Sequence, residues 1–346
     1  MQKQSIFRLN NWANVLVILC LSLLSNSVFS AELSDSSELS EMLKRMSDAD
    51  RDKNYQGTFI LRKEDELSTL RVTHGMDEKG VWESMETLDG EARTILRLNS
   101  RVISIFPDRE LVTIRHTSQN QSLHPQLPEN ISQLKLFYTI KRLNDDRIAN
   151  HPALVVDLMP KDQFRYGYRY WVDKNTGMLL RCDLVSEEKK VVEQMMFTSL
   201  DYLEAMPPQT FEMQQFAQFE QSIIDEPVLD VSATAPRQWV VNRPPKGFML
   251  TQSTMRYSKP SNINADASSS DKKHPDLLHM VYSDGLASVS VFIEKNLGPD
   301  KHLQGIASMG AVNAFGSSKD DYFVTVVGEV PVKTVKSMAQ STAKLH

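Results

Sequence analysis

The chain is poor in cysteine, in catalytic signatures, in long apolar runs and in surplus positive charge. Only Cys20 and Cys182 occur among 346 residues. Cys20 falls in an amino-terminal segment expected to be removed, so the mature chain holds one thiol and no internal disulfide. Stability must then come from a packed core. Cys182 reads as a small buried apolar residue on a strand, with a reactive thiol as the alternative. No G-x-S-x-G elbow, Gly-Lys-Ser/Thr phosphate loop, G-x-G-x-x-G or H-E-x-x-H is present. Three of the eight histidines precede proline, which marks turns, and His274 and His279 stand apart from cysteines or clustered carboxylates. No catalytic residue, cofactor or metal is therefore assigned. An exported hydrolase with residues converging from distant loops is kept as an alternative.

The balance of 39 basic against 44 acidic side chains, −5, argues against a broad basic face for nucleic acid. Apolar residues at 41% and charged residues at 24% are ordinary for a soluble globular protein and exclude fibrous or many-spanning classes. The apolar run from Val15 to Leu24 falls short of the ~20 residues of a membrane span. It follows Lys3 and Arg8 and precedes Val28 and Ser30, small enough for the −3 and −1 positions of a cleavage site, so residues 1–30 read as a signal peptide with the mature start near Ala31. An uncleaved anchor is the other reading of this segment. Cleavage leaves 37 − 44 = −7, since Lys3 and Arg8 are lost.

What remains is mostly strand. Leu39, Met42, Leu43, Met46 and Ala49 recur at helical spacing and predict a helix over 38–51. Short β-branched and aromatic segments follow at Thr58–Arg62, Leu67–Thr73, Val81–Met85, Thr94–Leu98, Val102–Phe106 and Leu111–Arg115, separated by turn residues in the manner of successive hairpins. A polar loop over 119–130 leads to a short helix from Ile131 to Tyr138, capped by Asn130. Strands resume at Ala153–Met159, Arg165–Val172, Met178–Leu184 and Val191–Leu203.

Pro207-Pro208 and the polar stretch to Pro236 break the pattern and carry a partly helical connector over Phe211–Ile223. The domain reading is signal peptide 1–30, a large β domain 31–206, a linker 207–231 and a smaller α+β domain 232–346. In the last, strands are expected at Phe248–Tyr257, Leu278–Tyr282, Ala287–Glu294, Ile306–Phe315 and Tyr322–Val327, with a helix after Pro331 and a mobile segment over Ser258–Lys273. The fold class is α+β, mostly antiparallel β: a large, unclosed, barrel-like sheet and a smaller antiparallel sheet with a helix.

A sheet curled round a helix leaves an apolar concavity, and Leu61, Leu70, Val72, Trp82, Leu96 and Ile105 are the candidates to line it; a filled core made of the same residues is the alternative. In Arg165-Tyr166-Gly167-Tyr168-Arg169-Tyr170-Trp171, strand alternation puts the three tyrosines on one face and Arg165, Arg169 and Trp171 on the other. This is either a clamp for an anionic amphiphile or ordinary cross-strand packing.

Several fragments, in order, resemble the MucB/RseB family: Asn54-Tyr55-Gln56-Gly57-Thr58-Phe59, Leu88-Asp89-Gly90, Arg165-Tyr166-Gly167-Tyr168, Trp171-Val172-Asp173 with Thr176-Gly177, Pro245-Lys246-Gly247-Phe248, Tyr282-Ser283-Asp284-Gly285-Leu286 and Val327-Gly328-Glu329-Val330-Pro331. The resemblance implies a lipoprotein-carrier-like amino-terminal domain with an apolar cavity and a smaller domain that binds the periplasmic segment of a single-pass inner-membrane anti-sigma factor. It implies Tyr282, Asp284, Gly285 and Leu286 as partner contacts, and shielding of that segment from proteolysis, so that the envelope-stress sigma factor is restrained. It further implies release by a lipid, lipoprotein or lipopolysaccharide ligand, a periplasmic location and no enzymatic activity, and it is compatible with a homo-oligomer. A plain lipid or lipoprotein carrier is the main rival reading.

Overall fold

The computed structural model describes residues 41–42, 44–46, 48–49, 52–77, 80–116, 131–205, 213–224, 238–256, 277–298 and 301–345. The expected signal peptide, the Asn130 cap, the polar loop before it and the segment Ser258–Lys273 lie outside these residues.

The first unit is one antiparallel meander. β1 (Tyr55–Lys63), β2 (Glu66–Asp77), β3 (Gly80–Thr87), β4 (Thr94–Leu98), β5 (Arg101–Phe106) and β6 (Leu111–His116) pair in chain order. The helix Ile131–Phe137 leads into β7 (Tyr138–Arg142), β8 (Asp146–Ile148), β9 (His151–Pro160), β10 (Gly167–Asp173), β11 (Leu179–Val185) and β12 (Val191–Tyr202). β12 returns to pair with β1, joining both halves into a 13-stranded sheet whose path runs from β13 (Glu220–Ile224) to β7 without closing. Most of the strands expected from turn punctuation are found within a few residues. The connector differs from its reading: a short 3-10 turn, Met213–Phe216, precedes β13, which adds to the sheet edge parallel to β6. Phe216 and Phe219 pack on the cluster beneath, so apolar contact draws this stretch into strand.

The central strands are buried on both faces, as near-continuous apolar runs require. On one face Leu154, Val156, Leu158, Tyr166, Tyr168 and Tyr170 pack with Met42, Met46 and Leu134 of the helical residues. On the other, Val155, Trp171 and Leu180 pack with Tyr55, Phe59 and Phe197. The aromatic strand is packed on both faces: Tyr168 stacks on Tyr170 at 5.8 Å, and Arg169 pairs with Asp157 across the strands. One element of its reading is corrected. β10 starts at Gly167, so Arg165 lies before the strand, is fully buried and does not share a face with Arg169.

The second unit is a six-stranded antiparallel sheet of β15 (Met249–Arg256), β16 (Leu277–Ser283), β17 (Ser288–Lys295), β20 (Tyr322–Gly328), β19 (Val312–Lys319) and β18 (Gly305–Met309), in that order. β16 and β17 alternate buried and less buried residues, the mark of a sheet with one face covered. The helix Val332–Ser341 supplies that cover through Val335, Met338 and Ala339. β14 (Trp239–Val241) and β21 (Thr342–Lys344) pair beside it. The single strand expected over Ile306–Phe315 is instead a hairpin of β18 and β19 turning at Gly310, whose φ of +60° suits glycine and breaks the strand.

Tyr170 is fully buried, and its hydroxyl has no hydrogen-bond partner among the described residues. Tyr170→Phe is expected to be neutral or to stabilise by up to about 1 kcal/mol, because an unpaired buried hydroxyl is costly. Tyr170→Ala is expected to cost about 3–5 kcal/mol through the cavity it leaves. Urea unfolding of the two variants measures both.

Candidate functional site

Cross-strand register builds a continuous apolar wall. Tyr168 of β10 stands opposite Leu184 of β11, Leu184 opposite Glu193 of β12, and Glu193 opposite Lys63 of β1. The next row runs Tyr170, Cys182, Met195, Leu61, and a third pairs Phe197 with Phe59 and Phe59 with Leu70. Gly57 makes room for this last row, since a Cβ there would sit 2.9 Å from the Phe197 ring. Over the wall opens a cavity of about 300 Å³, lined by Phe59, Leu61, Val72, Met85 and Leu184 and edged by Arg62, Lys63, Glu193 and Glu329. That volume is at the low end of the roughly 300–1,000 Å³ typical of small-molecule sites. Glu329 comes from the second unit, so the cavity lies where the units meet.

The charged edge is ordered. Glu193 accepts a hydrogen bond from the Ala311 backbone N–H at 3.0 Å through Oε1, and its Oε2 lies 3.7 Å from Lys63 Nζ. Burial, then the neighbouring charge of Glu193, pushes Glu329 up to about 6. Burial likewise drives the Cys182 thiol and the Tyr168 phenol upward, so both are uncharged wall groups at neutral pH. The reactive-thiol alternative for Cys182 finds no support in this setting.

A second centre fastens the units together. Arg165 donates from Nη1 to Asp284 Oδ2, from Nη2 to Asp162 Oδ2 at 3.0 Å and to the Lys246 carbonyl at 2.6 Å, and from Nε to Asp162 Oδ1 at 3.1 Å. Its guanidinium lies 4.9 Å from the Phe137 ring centroid and 5.0 Å from that of Phe248, one ring from each unit. Tyr138 donates to Asp284 Oδ2 at 3.1 Å, while Oδ1 accepts from the Leu286 and Ala287 amides. The Tyr138 phenol is pushed far up by burial first and by the Asp284 charge second. Gly247, at φ +96°, presses its backbone on Phe137, where a Cβ would come within 2.6 Å of the ring. Further bonds across the seam run from Asn313 Nδ2 to Tyr166 Oη at 3.1 Å and from Thr334 Oγ1 to the Phe164 carbonyl at 2.7 Å.

Of the six residues nominated for a concavity, Leu61 and Val72 line the cavity. Leu70 packs in the cluster beside it, Trp82 is buried away from it, and Leu96 and Ile105 fill a separate cluster with Ile103 and Val112. Of the four nominated as partner contacts, Asp284 joins the seam and Leu286 packs against the core of the first unit. Tyr282 lies in the core of the second unit, accepting from the Val241 amide, while Gly285 is exposed. Of the tyrosine face read as a clamp or as packing, Tyr168 lines the cavity; not foreseen were Phe59, Met85, Leu184 and Phe197 on the wall, Glu193 and Glu329 at its edge, and Arg165 as the fastening. Among the described residues no cluster of His, Cys, Asp and Glu could hold a metal ion, and no helix is long and apolar enough to cross a membrane.

Comparisons with known proteins follow the same division. The family model described as the MucB/RseB N-terminal domain matches residues 38–216, and that of the MucB/RseB C-terminal domain matches 233–343. The chain is 29% identical over 326 residues to the sigma factor AlgU regulatory protein MucB of Pseudomonas aeruginosa, covering 93% of this chain and 96% of that one. It is 24% identical over 324 residues to the sigma-E factor regulatory protein RseB of Escherichia coli, covering 93% and 96%. A crystal structure of MucB in complex with MucA(peri) superposes with a TM-score of 0.63 at 28% identity, covering 89% of this chain and 99% of that one.

Asp284→Ala would strand a buried guanidinium and is expected to cost about 3–5 kcal/mol, whereas replacing Arg165 and Asp284 together by Met and Leu should recover much of the loss. Urea denaturation of both variants tests the pair. A loss below about 1 kcal/mol for Asp284→Ala would show that the ion pair does not carry the seam.

Proposed function

The chain belongs to the MucB/RseB family, and from that membership we propose that it is a periplasmic regulator that binds the periplasmic segment of an inner-membrane anti-sigma factor. By covering that segment it slows the proteolysis that would free the envelope-stress sigma factor. The observation that carries this reading is the likeness, over nearly the whole chain, to MucB solved with MucA(peri). The regulatory names of the relatives support it. The protein acts by binding and not by catalysis.

Lipid-type ligands enter the reading through the cavity. Its wall belongs to the first unit and part of its edge to the second, so a hydrocarbon chain lodged there bears on both. A ligand shifts a conformational equilibrium only by the difference in its affinity for the two states, and each ~1.4 kcal/mol of difference is tenfold. Leu61 and Val72 contact the ligand in this reading, and Leu70 supports them from the adjacent cluster. Asp284 and Leu286 act on the partner by fixing how the units meet, Tyr282 supports them from the core of the second unit, and Gly285 is the exposed member of the four.

The test is a cleavage assay on the isolated anti-sigma periplasmic segment. Saturating amounts of the chain should slow cleavage at least tenfold, and lipopolysaccharide or an acylated peptide should restore it. Unchanged cleavage at saturation would overturn the regulatory reading. Protection that no lipid relieves would overturn the ligand arm alone.

A further inference from the structure

The cavity carries a feature that a plain hydrocarbon slot does not need: two carboxylates on its edge, one contributed by each unit. Glu193 stands on β12 and Glu329 on the segment that joins β20 to the following helix. Glu193 is engaged by the Ala311 amide and by Lys63. Gly310 leaves room for it, since a Cβ there would fall 2.6 Å from its Oε1, so the hairpin backbone passes close beside this carboxylate. Glu329 faces the same space with apolar wall around it. The groups that face it are Glu193 of β12, Lys63 and Arg62 of β1, Tyr168 of β10 and Cys182 of β11. Tyr166 of β10 also feels its charge. On its own segment Lys333 turns away to Gln163 and the Phe164 ring. Lys63, a cation that acts on Glu329, is already paired with Glu193.

A chain entering this cavity displaces the water that hydrates the edge. An ionised Glu329 loses that hydration beside a second negative charge, whereas its protonated form loses little. We propose that the Glu193/Glu329 pair makes occupancy of the cavity proton-linked, so that an uncharged apolar ligand binds with uptake of one proton at Glu329 and binds more tightly in acid. The inference deepens the reading of the cavity as a hydrocarbon site. It adds that the external proton concentration, which a chain outside the cytoplasm meets directly, tunes how readily the ligand acts.

The sign follows from linkage. The neutral form is favoured in the free protein only below about 6. Ligand raises that midpoint, so affinity increases as pH falls from 7.5 to 5.5 and levels off below the free protein's midpoint. A midpoint raised by ~1.5 units makes the full change about thirtyfold for one proton, of which about tenfold falls between pH 7.5 and 5.5.

The full mature chain is titrated with N-phenyl-1-naphthylamine, a fluorophore uncharged throughout this range, at pH 7.5, 6.5 and 5.5. Calorimetry at pH 6.5 in two buffers of different ionisation heat counts the protons taken up. Glu329→Gln, nearly isosteric, is expected to bind with an affinity that no longer depends on pH and lies near the wild-type value at pH 5.5. Val72→Trp, which fills the cavity, should abolish binding and so locate the probe. Wild-type affinity that is flat with pH, absence of proton uptake, or acid strengthening that survives in Glu329→Gln would overturn the proton link while leaving the cavity intact. No saturable binding at any pH, or binding unaffected by Val72→Trp, would overturn the hydrocarbon site and the link with it.

Discussion

A single buried cation holds this architecture together. Arg165 takes two carboxylates, a carbonyl and two aromatic faces from both sides of the seam, and its environment is closed to water. A buried charge is tolerable only when every donor is met, so the two units are obliged to meet in one geometry if the guanidinium is to be satisfied. Apolar contact alone would not impose that. Leu286 against the first core is compatible with many angles, whereas a forked donor facing Asp162 and Asp284 is compatible with few.

The cavity inherits its shape from this constraint. Its wall is made by cross-strand rows of the large sheet, but its edge is completed by Glu329 and by the hairpin whose Ala311 amide reaches Glu193. Were the seam to shift, the edge would open and the wall would remain. Binding at the wall and geometry at the seam are therefore two views of one equilibrium, which suits a regulator that has to hold a partner and then release it.

Much of the architecture was legible along the chain, and the limits of that legibility are physical. Strands such as Thr94–Leu98 stand out because turn residues bracket a short apolar run, whereas Ile306–Phe315 reads as one strand although Gly310 turns it into a hairpin. Alternation tells which side of a strand a residue occupies. It does not tell where on a curved sheet that side is hollow and where it is filled, and so Leu61 and Val72 line a cavity while Leu96 and Ile105, of the same pattern, lie in a solid cluster. Phe197 and Tyr168 reach the wall through register, which depends on pairing β12 with a strand more than a hundred residues earlier. Arg165 and Asp284 are 119 positions apart, and nothing local to either announces the other. The Asp284 turn stood out only through its resemblance to a family pattern, which carries no information on which surface it faces.

The strand that follows the first unit has a further bearing. Because β13 is laid along β6, the chain leaving the large sheet is anchored at that edge of the sheet, and only fourteen positions separate Ile224 from Gln238. Fourteen peptide steps span at most roughly 50 Å when fully drawn out. Two lobes on so short a leash see each other at millimolar effective concentration even when parted, so disengagement is quickly reversed once whatever pried them apart departs. The docked edge strand thus makes the molecule self-resetting.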